Sequence, residues 1–119
     1  MAGRSRNPGV IVVLVTCPGQ EVGEKIARTV VEDRLAACVN ILPGLTSIYR
    51  WEGKVCRDAE TLLIIKTRRS KFSALSSRVK ALHPYSVPEV LALPVVAGSD
   101  SYLSWVRSSI PLKSAGDPA

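Results

Sequence analysis

The chain predicts a small α+β sandwich of βαββαβ order with an added C-terminal helix, and three observations lead there. Val10–Val15 and Ala59–Thr67 are β-branched, apolar runs of strand length. Two segments carry apolar residues at helical spacing instead: Val22, Ile26 and Val30 in one, Phe72, Leu75, Val79 and Leu82 in the other. The pattern also repeats, since Val13–Thr16 leads into the first helix much as Ile64–Thr67 leads into the second.

Taken in order, Val10–Val15 reads as a buried central strand, closed by Cys17-Pro18-Gly19. Glu21–Leu35 then reads as an amphipathic helix, with Glu21 and Glu24 placed to suit the positive end of its dipole. A second strand starts at Cys38–Leu42, bends or bulges at Pro43-Gly44 and resumes through Thr46–Trp51. Glu52-Gly53 is a hairpin signal, glycine being free to take a positive φ. The third strand returns as Val55 and then Ala59–Thr67. Ser70 is placed to cap the second helix, which His83-Pro84 ends. Val87–Val96 makes a fourth strand, and its Pro88 and Pro94 confine it to an edge or to bulges. Ser99 or Asp100 caps a short last helix bearing Leu103, Trp105 and Val106. The expected layout is one domain over 10–112, with flexible tails at 1–9 and 113–119, where apolar anchors are few.

This order is that of a ferredoxin-like sandwich, an antiparallel sheet with both long helices on one face. The other face is then uncovered, yet the first and third strands are apolar on both sides. Soluble monomers rarely expose so large an apolar surface, and long edge strands also need pairing. Self-association answers both needs.

The composition is globular, with 46% hydrophobic and 22% charged residues in 119. No run reaches the roughly 20 apolar residues that span a bilayer. Arg4 and Arg6 precede Val10–Val15 as in a secretion signal, but the run is short and Cys17-Pro18-Gly19 is no cleavage site, which points to the cytoplasm. Cys17, Cys38 and Cys56 are odd in number, against a secreted disulfide framework. The net charge of +6 is spread along the chain, with one dense cluster at Lys66, Arg68, Arg69 and Lys71, and reads as solvated surface. Neither a nucleic acid nor a membrane is an expected partner. Stacking aromatics of an RNA-recognition domain are missing from Val10–Thr16 and Ala59–Thr67, and the first loop has no CxxC for metal transfer.

Several stretches together resemble the CutA divalent-cation tolerance family, from about Val10 to Val106. They are Arg34–Asn40, Ser47–Lys54, Glu60 followed by Ile65–Thr67, His83–Tyr85 with Val87–Glu89, and Tyr102–Trp105. The resemblance implies a homotrimer in which long hairpins pair between subunits, and a role in tolerance to copper and other divalent ions. It also brings an alternative, a PII-like signalling protein that binds a small anionic ligand at an intersubunit cleft, near Lys66 and Arg68.

Single residues carry two readings each. His83 is the metal-ligand candidate by type, set against a histidine that hydrogen-bonds in a helix-to-strand turn. Cys38 reads as a buried small hydrophobe, Cys17 as a loop thiol and Cys56 as surface. Trp51, Lys66, Tyr85 and Glu89, taken with His83, have the composition of either a ligand pocket or an intersubunit contact. One histidine and three dispersed cysteines do not build a four-ligand site in one chain, so Cu(II) or another divalent cation would bind weakly, with no cofactor required. No spacing suggests a nucleophile with its base, so no enzyme is expected.

Overall fold

The computed structural model describes residues 5–6 and 9–111. In chain order the elements are β1 (Ser5–Arg6), β2 (Val10–Cys17), α1 (Gln20–Glu32), β3 (Cys38–Trp51), β4 (Lys54–Arg68), a 3-10 turn (Arg69–Lys71), α2 (Phe72–Leu82), β5 (Val90–Pro94), β6 (Ala97–Gly98) and α3 (Asp100–Ser109). The main sheet is antiparallel in the order β3-β4-β2-β5, which is the α+β arrangement expected.

Strand alternation sorts the side chains into two faces. Ile11, Val13, Val15, Leu63 and Ile65 turn one way and bury against Ile26 and Val30 of α1 and Leu75 and Val79 of α2. The register fixes what turns the other way. Leu91, Leu14, Ile64 and Asn40 lie in one row; Leu93, Val12, Lys66 and Cys38 in the next; Thr16, Leu62 and Leu42 in a third. Among the described residues one end of this second face is covered, where Val10 packs with Leu103 and Val106 of α3 and with Ile110 just after it. The rest stays open, with Leu91 54% and Leu93 46% exposed.

The β3–β4 ribbon outruns the sheet. β2 stops at the pair Cys17–Thr61, whereas β3 and β4 stay paired to Trp51–Lys54. Its bulge falls between Leu42 and Leu45, at Pro43-Gly44, and its tip has φ of 49° at Glu52 and 79° at Gly53. Two consecutive left-handed residues are what a two-residue turn needs to match the strand twist. Ile48 and Val55 on this ribbon are about two-thirds exposed, at 69% and 67%.

Several boundaries differ from expectation, each for a physical reason. The first helix ends at Glu32 rather than Leu35, because Arg34 adopts φ 59° and Leu35 N donates to Val30 O while Arg34 N donates to Val31 O. That is a Schellman stop with arginine where glycine is usual, at a strain cost of about 1 kcal/mol. Ser70 is no cap: it sits inside the 3-10 turn, and α2 starts without a side-chain cap. The third strand is continuous from Lys54, since pairing to β3 carries it through Arg57 and Asp58. The fourth is shorter, at Val90–Pro94, because Pro88 precedes it and Pro94 ends it. Trp105 is 45% exposed and stacks obliquely on Tyr102 at 5.6 Å, while Ile110 fills the core position instead. Ser99 does cap α3, accepting from Tyr102 N at 3.3 Å.

The expected C-terminal tail, 113–119, lies outside the described residues. Within the expected N-terminal one, Ser5–Arg6 pairs with Ala97–Gly98 as a two-residue ladder, which no local sequence signal announces.

Candidate functional site

The polar residues of interest gather where β2 ends, at the foot of the protruding ribbon. The turn after α2 brings His83 and Tyr85 there, and the segment leading into β5 brings Glu89. His83 Nε2 lies 2.8 Å from Thr16 O, and Tyr85 N donates to His83 Nδ1 at 3.1 Å. A backbone N–H can only donate and a carbonyl only accept, so the ring is fixed as the neutral tautomer with its proton on Nε2. His83 is buried, and its ring meets that of Tyr85 at 4.8 Å. Both nitrogens are therefore engaged in the turn.

Tyr85 Oη in turn donates to Glu60 Oε2 at 3.1 Å, and Glu60 is only 8% exposed. Burial first, then this bond to the carboxylate, pushes the Tyr85 phenol up to about 12. Thr16 Oγ1 reaches Glu89 Oε1 at 3.5 Å. Nearby on the ribbon Tyr49 Oη donates to Asp58, and that bond raises the Tyr49 phenol to about 12 as well. Two phenols thus hold two carboxylates two positions apart on β4, the exposed Asp58 and the buried Glu60.

Cys17 was expected in a loop, but it is the last residue of β2 and fully buried. Its thiol donates to Thr61 O at 3.6 Å and Gly19 O at 3.8 Å. Burial, reinforced by the Glu60 charge, raises its pKa, although the Gly19 bond opposes this. The side chain is held as a thiol. Gly23 of α1 makes this packing possible, for a Cβ there would come within 3.3 Å of Cys17 Sγ and of Leu63. Cys38 is half-buried rather than buried, on the second sheet face, 3.9 Å from Lys66 Nζ.

Of the residues singled out from the sequence, His83 and Tyr85 meet, Glu89 reaches only the Thr16 hydroxyl, and Trp51 and Lys66 stand apart. Trp51 is at the ribbon tip, 47% exposed. Lys66 lies near the opposite end of β4, where Nζ donates to Asn40 Oδ1. Thr16 and Glu60 join the site without having been marked for it; the available signal was a carboxylate at the start of the apolar run Ala59–Thr67. Among the described residues no three His, Cys, Asp or Glu side chains are grouped to hold a metal ion. The arrangement can lock a turn and present carboxylates; a cation would have to break the His83 bonds to use its nitrogen.

Comparison with known proteins gives the family of the chain as a whole. The family described as CutA1 divalent ion tolerance protein matches residues 11–109. The divalent-cation tolerance protein CutA of Thermus thermophilus is 58% identical over 98 residues, covering 82% of this chain and 95% of the relative. The chloroplastic protein CutA of Arabidopsis thaliana is 53% identical over 109 residues, covering 92% of this chain but 60% of the relative, so the chain spans little more than half of that protein. A solved structure of the Thermus thermophilus divalent cation tolerance protein superposes with a TM-score of 0.84 at 56% identity, covering 86% of this chain and 99% of that one.

Proposed function

Because this chain belongs to the CutA1 divalent ion tolerance protein family, we propose that it works as a cytoplasmic, non-enzymatic homotrimer that takes divalent cations weakly. The observation that carries this reading is the open second face of the sheet. Val12, Leu14, Leu62, Ile64, Leu91 and Leu93 form a continuous apolar surface, and among the described residues it is covered only by α3 at the Val10 end. Burying it against other copies removes that surface from water, at about 25 cal/mol per Å². The protruding ribbon, with Trp51, Ile48 and Val55 exposed, supplies a second surface with no partner among the described residues. A two-stranded ribbon of this kind is marginal alone and gains from pairing. Three free cysteines suit a reducing compartment.

Weak cation binding follows from the chemistry at the foot of the ribbon. His83 must give up a hydrogen bond to Thr16 or Tyr85 to coordinate, and the Cys17 thiol resists ionisation. Glu60 and Glu89 are the carboxylates at hand. Cu(II) leads the affinity order of the divalent series and favours imidazole, so it should bind best. Titration calorimetry with Cu(II) on wild type and His83→Ala tests this. Loss of heat in the variant is the expected result. Equal affinity in both proteins would remove His83 from the site, and tight, pH-insensitive binding would shift it to cysteine thiolates.

A further inference from the structure

We propose that the C-terminal end of α3 binds a phosphate group, held by Arg34 and Arg68. Two segments far apart in sequence deliver guanidinium groups to this one helix turn. Arg68 Nη1 donates to Ile110 O at 2.9 Å and to Arg107 O at 3.1 Å, and Arg34 Nη1 donates to Ser109 O at 3.4 Å. These bonds use Nη1 alone. A guanidinium carries five N–H donors, so the Nε–Nη2 edge of each stays available for the two-pronged contact that a tetrahedral oxyanion accepts.

Capping the helix explains part of this arrangement and leaves the rest over. The C-terminal end of a helix carries about half a negative charge, and two full positive charges exceed it. Among the described residues no carboxylate restores the balance, for the ion pair present there joins Arg78 to Asp33, at 3.2 Å. The same turn contains Arg107, whose buried Nη1 has no hydrogen-bond partner among the described residues, so the helix end lacks an acceptor. Arg34 itself occupies a left-handed position, φ 59°, that glycine would fill without strain. This site is remote from His83 and does not rest on the cation reading.

The test is a 15N-detected NMR titration of the intact protein with sodium phosphate, against sodium chloride at matched ionic strength. Saturable shifts at the Arg34 and Arg68 side chains and the Ile110 amide are expected with phosphate alone. Arg34→Gly removes the guanidinium while easing the backbone, so it should melt no lower yet bind phosphate at least about tenfold more weakly. Arg68→Lys keeps a charge beside the α3 carbonyls and loses the fork, with the same expected weakening. A parallel titration with adenosine 5′-monophosphate identifies the source: equal affinity means free phosphate suffices, and tighter binding that both variants abolish means a phosphate carried on a nucleoside. Linear, chloride-like shifts in the native protein would overturn the proposal. So would Arg34→Gly binding phosphate as well as wild type.

Discussion

At the scale of single residues, the pair Tyr85–Glu60 makes the sharpest claim. A buried carboxylate with a phenol donor should cost about 1 kcal/mol of stability when the donor is removed in Tyr85→Phe. The pH dependence has a definite sign. With the folded phenol near 12 and the unfolded one near 10, both states keep the proton below pH 10 and the contribution is whole. From 10 to 12 the unfolded chain ionises first, and the contribution is lost. The stability gap between wild type and Tyr85→Phe, measured by urea unfolding, should therefore be constant below pH 10 and shrink towards pH 12. A gap that widened with pH would mean the phenol is ionised in the fold. His83 could be picked out by its residue type and its place at a helix end. Its partners could not, because Thr16 is contributed by a strand 67 positions away and no local pattern records that approach.

At the scale of elements, local chemistry explains what the sequence disclosed. Pro43-Gly44 and Glu52-Gly53 dictate bulge and turn within a few residues, so both could be read directly. The end of α1 could not, because arginine stands at the left-handed stop and offers none of the signal that glycine would. The β1–β6 ladder escaped because two residues become a strand only through a partner at the other end of the chain. The misplaced cap yields a test. Ser99→Ala should cost α3 about 1 kcal/mol in thermal or urea unfolding, whereas Ser70→Ala should stay within about 0.5 kcal/mol. The reverse order would restore Ser70 as the cap. For the ribbon, Trp51→Ala should make the assembly dissociate at higher protein concentration on dilution, because an exposed aromatic at a strand tip is the typical anchor of an interface. Unchanged dissociation would make Trp51 a tip that faces solvent.

At the scale of the whole molecule, the apolar character of both faces of β2 and β4 is legible in the sequence as surface that needs cover. The register turned it into a surface with named rows, Leu91–Leu14–Ile64 and Leu93–Val12. The four-stranded sheet and its three helices match solved members of the family, which fixes the single-chain fold. The central claim is that this face is buried between three copies. Multi-angle light scattering at micromolar concentration tests it most directly, on wild type and on Leu91→Asp, which places a charge in the middle of the face. The account predicts a wild-type mass of three times the 12.8 kDa chain and a smaller species for the variant. A wild-type protein that stays folded at 12.8 kDa would contradict it.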